Sequence, residues 1–145
     1  MKTISIYATG DRESVSRYRI WQYYDNIDGV KVIAHSKYSP YLLKYYAPIG
    51  QRNLLIKVFA WVNMCCRCIA FLLNDLLRRP DYIVIQRELV KKNTPCLANV
   101  LIKQIHNQGT KIIWDFDDQI LAMKEINEKD FSVLAEYSDY ITVTH

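Results

Sequence analysis

The chain has 145 residues, of which 50% are hydrophobic and 23% charged, with a net charge of +4. That length suits one core and excludes two ordinary domains. The apolar content excludes a disordered chain, and the charge is too small to point to nucleic acid, although it suits an anionic small molecule or a lipid surface. The four cysteines, three of them crowded at Cys65, Cys66 and Cys68, make no disulfide framework and read as reduced thiols in a cytoplasmic compartment. Met1 to Gly10 holds one lysine and too short an apolar run for a secretion signal.

Thr3 to Ala8, with Ile4, Ile6 and Tyr7, reads as a first strand, broken by Thr9-Gly10-Asp11. Ser14 is an N-cap for a helix running to about Tyr24, with Val15, Tyr18 and Trp21 at core spacing and Arg17 and Arg19 on the other face. Asp28-Gly29 is a turn, and Val30 to Ala34 the second strand. His35-Ser36-Lys37-Tyr38 then forms a polar mouth, followed after Pro40 by a short helix containing Leu42, Leu43, Tyr45 and Tyr46. Asn53 to Arg78 reads as one long helix. Its polar residues Asn53, Lys57, Asn63, Arg67, Asn74, Asp75 and Arg78 fall within a stripe roughly 120° wide, and the remaining circumference is apolar. Lys57, Asn63 and Arg67 interrupt it too often for a transmembrane span. It is expected as a core helix or as a surface helix lying on a membrane or a partner.

Arg79-Pro80-Asp81 ends that helix, and Tyr82 to Ile85 is the third strand, with Gln86-Arg87-Glu88 at its carboxyl end. Pro95 opens a helix with Leu97, Val100, Leu101 and Ile105 as its apolar stripe, stopped by Gly109. In Lys111 to Asp118 the apolar run Ile112-Ile113-Trp114 ends abruptly in Asp115, Asp117 and Asp118. A buried parallel strand reads this way where its end opens into a crevice. Asp130 to Tyr137 looks helical, and Asp139 to Thr144 is a fifth strand. The alternation predicts a three-layer α/β/α domain around a parallel sheet of about five strands with right-handed crossovers. Because the chain stops at His145, directly after a strand, it reads as a truncated part of a larger protein.

Ligands of open α/β sheets bind outside the carboxyl ends of the strands. Those ends collect Ser14, Ser16, Arg17 and Arg19, then His35 and Lys37, then Gln86, Arg87 and Glu88, then Asp115, Asp117 and Asp118, and finally Thr144 and His145. Basic groups beside acids suit a hydroxyl-rich ligand, with arginine available for phosphate; a solvated loop edge is the plainer alternative. Neighbouring carboxylates repel and are costly to bury unpaired, so the three acids need a metal, basic partners, hydrogen-bond donors or water. Apolar-strand-Asp-x-Asp is similar to the first motif of haloacid-dehalogenase-type phosphatases, but Gln119-Ile120 stands where their Thr or Ser is needed. It is similar also to the metal-binding pair of GT-A glycosyltransferases, whose opening pattern the first strand lacks. On a helix Cys65, Cys66 and Cys68 point in different directions with no histidine at ligand spacing, so they read as small hydrophobes rather than a zinc site. No Gly-x-Gly-x-x-Gly is present.

Ser16-Arg17-Tyr18-Arg19-Ile20, Asp81 to Arg87, Ile113 to Asp118 and Ser138 to Thr144 occur in an order and spacing that cover nearly the whole chain. Together they resemble the N-terminal half of bacterial GT-B glycosyltransferases of the large family-four type. Those proteins carry an Arg-rich first helix, a strand ending in Gln-Arg, a strand ending in an acidic pair, and an (Ala/Ser)-Asp-x-Ile-x-Val strand. The turn after strand one departs from the family's Gly-Gly, being Ala8-Thr9-Gly10-Asp11 here. The resemblance implies a Rossmann-like acceptor-side domain whose partner domain binds a nucleotide-sugar, with transfer to a glycan or lipid-linked acceptor in the cleft between them. It also implies no metal and no other cofactor, a cytoplasmic location at the inner face of the membrane, and peripheral membrane contact through the helix around 53–78. A non-catalytic membrane-associated or interaction module descended from such an enzyme is the alternative.

Overall fold

The computed structural model describes residues 1–8, 28–39, 54–117, 124 and 126–144. Within them the chain forms strands β1 (Lys2–Ala8) and β2 (Val30–Ser36), helix α1 (Leu54–Arg78), β3 (Tyr82–Gln86), α2 (Cys96–Asn107), β4 (Lys111–Asp117), α3 (Glu128–Tyr137) and β5 (Tyr140–Thr144). The five strands make one sheet in the order β2-β1-β3-β4-β5, with every pairing parallel. The architecture is α/β and Rossmann-like, as the alternation of apolar runs and helical stripes predicts.

Side chains alternate across each strand, so one face of the sheet presents Tyr7, Ile83, Ile85, Ile112 and Trp114. These pack with Met64, Cys65, Cys68 and Leu72 of α1, with Ala98, Leu101, Ile102 and Ile105 of α2, and with Leu134 of α3. The connections β2 to β3, β3 to β4 and β4 to β5 all step the same way across the sheet. Right-handed crossovers therefore bring α1, α2 and α3 to a single face. Ile4, Ile6, Ala8, Val32 and Val84, at the alternate positions, form a second and smaller cluster.

Local chemistry fixes the element ends. Gly109, at φ 95°, closes α2 with its N–H donated to the His106 carbonyl at 2.9 Å. An L-side chain rarely adopts that conformation, which is why glycine follows the helix. Asn127 caps α3 by accepting from the Asp130 amide at 2.7 Å. The buried Asp130 carboxylate in turn accepts from the Thr94 amide, Asn99 Nδ2 and Asn127 Nδ2 at 2.8, 2.9 and 2.8 Å. One acid thus ties the β3–α2 loop, α2 and the start of α3 together, and its charge suits the positive end of the α3 dipole.

Two strands run further than their apolar residues suggest. Strand β2 continues through His35 and Ser36, which pair with Tyr7 and Ala8 of β1. Strand β4 continues through the first acids to Asp117, with Asp115 paired to Gln86 on one side and Thr142 on the other. In both cases ladder hydrogen bonds to a neighbour already in place outweigh a polar local sequence. The expected helix around 14–24 and the short helix after Pro40 lie outside the described residues.

Candidate functional site at the carboxyl edge of the sheet

In the order β2-β1-β3-β4-β5 the direction of winding reverses between β1 and β3, and the crevice of such a sheet opens at the carboxyl ends of those two strands. Lys37, the residue after β2, spans this point. Its amide donates to the Ala8 carbonyl at 2.9 Å, and its ammonium donates to the Gln86 carbonyl at 2.8 Å. The side chain therefore passes over the end of β1 and reaches the end of β3. Its Nζ also lies 3.9 Å from Glu88 Oε1, and both side chains are buried. A buried ion pair repays its desolvation only with good geometry and satisfied oxygens. Here the separation is long, and among the described residues Glu88 Oε2 has no hydrogen-bond partner. That oxygen is itself buried, so the carboxylate is held beneath the rim beside the Lys37 ammonium.

Between them stands Arg87, held at φ 62°. Left-handed backbone at a non-glycine residue costs about 1–3 kcal/mol and persists where neighbours over-determine it. The neighbours here are both on β4. The Arg87 amide donates to the Asp115 carbonyl at 2.7 Å, and the Arg87 carbonyl accepts from Trp114 Nε1 at 2.6 Å. Trp114 is completely buried and makes aromatic contacts with Phe116 and Phe131 at centroid distances of 4.5 and 4.9 Å. The kink at Arg87 is thus anchored in the core. Beside it, Asp115 Oδ1 accepts from the Thr142 hydroxyl at 2.7 Å.

The structure brings Lys37, Gln86, Arg87, Glu88 and Asp115 to neighbouring strand ends, as the sequence predicts. Asp117 and Thr144 are paired at the ends of β4 and β5. His35 is different. Because β2 runs past Ala34, His35 falls within the strand opposite Tyr7, on the face covered by α1. Its ring stacks on Phe71 at 4.4 Å, lies 4.9 Å from the Tyr7 ring, and places Nε2 3.6 Å from Asp75 Oδ2. It belongs to the core beneath the rim rather than to the polar mouth. Ser14, Ser16, Arg17, Arg19, Asp118 and His145 lie outside the described residues.

Sequence reasoning missed two features. The first is Asp75, fully buried under β1, where Ser5 and Tyr7 bond its two oxygens. A serine and a tyrosine two residues apart in an apolar strand share one face, and that was the available signal. The second is a cavity of about 340 Å³ at the first turns of α1, whose lining includes Tyr38, Lys57, Trp61, Met64, Lys91 and Lys92. Among the described residues no group of three or more His, Cys, Asp or Glu side chains converges in a way that could hold a metal ion. Cys65 and Cys68 point inward and Cys66 outward. Burial pushes the Cys65 thiol up to about 11, with the neighbouring Cys66 adding to the rise. It pushes Cys68 up to about 12, against the opposing pull of the Lys37 charge. Neither is a ready thiolate.

No protein-family model matches the sequence, and a comparison with curated proteins finds no significant match.

Proposed function

We propose that the chain is the acceptor-side domain of a GT-B glycosyltransferase of the family-four type. The observation that carries this reading is the bridge made by Lys37 across the ends of β1 and β3, beside the anchored Arg87 and the buried Glu88 carboxylate. A fixed cation and a fixed kink carrying a guanidinium are what a sugar hydroxyl or a phosphate needs at the switch point of an open sheet. Gln86-Arg87 and Asp115, from two of the motifs behind the resemblance, are neighbours there. In this reading a second α/β domain supplies the nucleotide-sugar, and transfer to a glycan or lipid-linked acceptor takes place in the cleft, as a cytoplasmic step of cell-envelope polysaccharide synthesis. The uncovered apolar side of α1 favours a second reading, a membrane-associated or interaction module without catalysis.

Saturation-transfer NMR on residues 1–145 tests the first reading. Short glycans or lipid-linked sugar analogues are expected to bind, and Glu88→Gln, which removes the charge beside the Lys37 ammonium, is expected to weaken them. Nucleotide-sugars are expected to be neither transferred nor hydrolysed by this chain alone. Turnover by the isolated chain would overturn the assignment, and failure of every saccharide to bind would leave the module. Micromolar magnesium binding, lost in Asp117→Asn, would move the reading to a metal-dependent phosphatase.

A further inference from the structure

The outward side of α1 has the same residue spacing in both directions. Leu55, Phe59, Val62, Cys66, Ala70, Leu73 and Leu77 follow one another at steps of four, three, four, four, three and four residues, so they line one face. That spacing is symmetric about Cys66, which is also the midpoint of the helix from Leu54 to Arg78. Leu55 is the counterpart of Leu77, Phe59 of Leu73, and Val62 of Ala70. Leu55, Phe59, Val62, Leu73 and Leu77 are 79%, 65%, 45%, 44% and 83% exposed, and Cys66 and Ala70 are exposed as well. The charged residues Lys57, Arg67, Asp75 and Arg78 all lie about 100° or more round the axis from Cys66. The band is therefore continuous, apolar and free of charge, which marks an interaction surface.

Its symmetry says what it fits. In a two-fold contact residue i of one copy meets j of the other and j meets i, so the surface must complement itself. Two α1 helices laid antiparallel about an axis through Cys66 set Leu55 on the partner's Leu77, Phe59 on the partner's Leu73 and Val62 on the partner's Ala70. No like charges meet. Packed helices cross at an angle and separate towards their ends. The small Cys66 and Ala70 sit near the crossing, and the larger leucines and Phe59 fill the widening gap. The exposed area of these side chains is on the order of 600 Å² per copy, or about 1,200 Å² across a pair, the lower end of specific interfaces. That suits a dimer which forms at micromolar concentration and separates on dilution. A bilayer is a poorer match, because every cation of α1 faces away from the band. By length and composition α1 could also cross a membrane. Yet the bonds of Ser5 and Tyr7 to Asp75 hold its other side on the sheet.

We propose that the chain forms a two-fold homodimer through the outward faces of two antiparallel α1 helices, with Cys66 on the axis. The contact uses none of the residues at the strand ends, so it stands whether or not the chain serves sugar transfer.

Cysteine chemistry and sedimentation decide it. Residues 1–145 are expected to pass from monomer to dimer between low and high micromolar concentration. Helices at an axis separation of about 10 Å bring facing Cα atoms, each about 2.3 Å off its axis, to about 5 Å, within reach of a disulfide. Air oxidation with copper-phenanthroline takes two electrons and two protons from the paired thiols. It is expected to give a covalent dimer that persists in Cys96→Ser and is lost in Cys66→Ser. Maleimide labelling of Cys66, fast in dilute chain, is expected to slow as concentration rises, while Cys96 keeps its rate. Phe59→Glu and Leu73→Lys, at exposed positions that leave the core intact, are each expected to raise the dissociation constant more than about a hundredfold, because the two-fold buries each charge twice. Mixing the two variants is expected to restore pairing, since Glu at 59 then meets Lys at 73 of the other copy. Circular dichroism checks that both fold, and the Cys66 cross-link needs neither. A monomer at every concentration, a cross-link through Cys96, a dimer indifferent to both substitutions, or no recovery on mixing would overturn the proposal. So would a monomer that floats with lipid vesicles, because the band would then belong to a bilayer.

Discussion

The hydroxyl of Tyr7 donates to Asp75 across 68 residues of sequence, at 2.8 Å, and fixes α1 against β1. Ser5 Oγ donates to the other carboxylate oxygen at 2.8 Å, so a fully buried acid is held by two donors from one strand face. Burial pushes the Tyr7 phenol well above its ordinary range, and the Asp75 charge and hydrogen bond push it further the same way. The phenol stays protonated, as a donor to a carboxylate must.

Tyr7→Phe removes that donor and leaves Asp75 Oδ2 buried, with only a distant imidazole nearby. A loss of about 1–3 kcal/mol is expected in urea unfolding, the cost of an abandoned buried charged acceptor. A change under about 0.5 kcal/mol would mean that the carboxylate finds another partner or takes up a proton.

Lys111 and Asp139 form an ion pair at 2.7 Å beside the β4–β5 pairing. Partial burial works against the Asp139 charge. The Lys111 hydrogen bond, the Ile112 amide and the charges of Lys111 and His106 outweigh it, holding the carboxyl below its ordinary value of 3.8. A lowered folded value means that the contribution is complete above the ordinary value and fades as pH falls through the folded one. Asp139→Asn is therefore expected to lower Tm near neutral pH, with the gap to the parent narrowing as pH falls below the ordinary carboxylate value. A gap that persists unchanged in acid would assign the effect to the Ile112 hydrogen bond rather than to charge.

The cysteines divide in two. Cys66 and Cys96 are exposed, whereas Cys65 and Cys68 are buried with thiols pushed up to about 11 and 12. Two thiols are expected to react with a maleimide within minutes at neutral pH, and all four after denaturation. Fast modification of all four in the native chain would show that α1 leaves the sheet readily.

Much of the fold was legible because its strands are short apolar runs bounded by turn residues. Ile83 to Ile85 and Ile112 to Trp114 are such runs, and the stops at Gly29 and Gly109 are real. Other features rest on partners distant in the chain. His35 and Ser36 look like a loop until β1 lies beside them. The polar stripe of α1 looks like a solvated face until Ser5 and Tyr7 claim Asp75. Of the rim, Gln86, Arg87 and Asp115 could be read from their place after apolar runs. The span of Lys37 to Gln86, 49 residues away, could not, because it depends on the strand order.

The interior position of β1, between β2 and β3, carries a cost during synthesis. Its partner on one side, β3, lies some 78 residues later, as the Thr3–Asp81 bond at the start of the two strands records. At about 5–20 residues per second a ribosome needs roughly 4–16 s to deliver that partner. Throughout that interval β1 and β2 form at most a ribbon with an open edge, and α1 emerges before the sheet that takes up Leu72 and Asp75 is complete. Long-range parallel pairing of this kind is slow even afterwards. The nascent chain thus passes through a stage in which both sides of its most apolar helix are bare. A chaperone or a nearby bilayer that captured α1 at that stage would determine how much of the protein reaches its folded form.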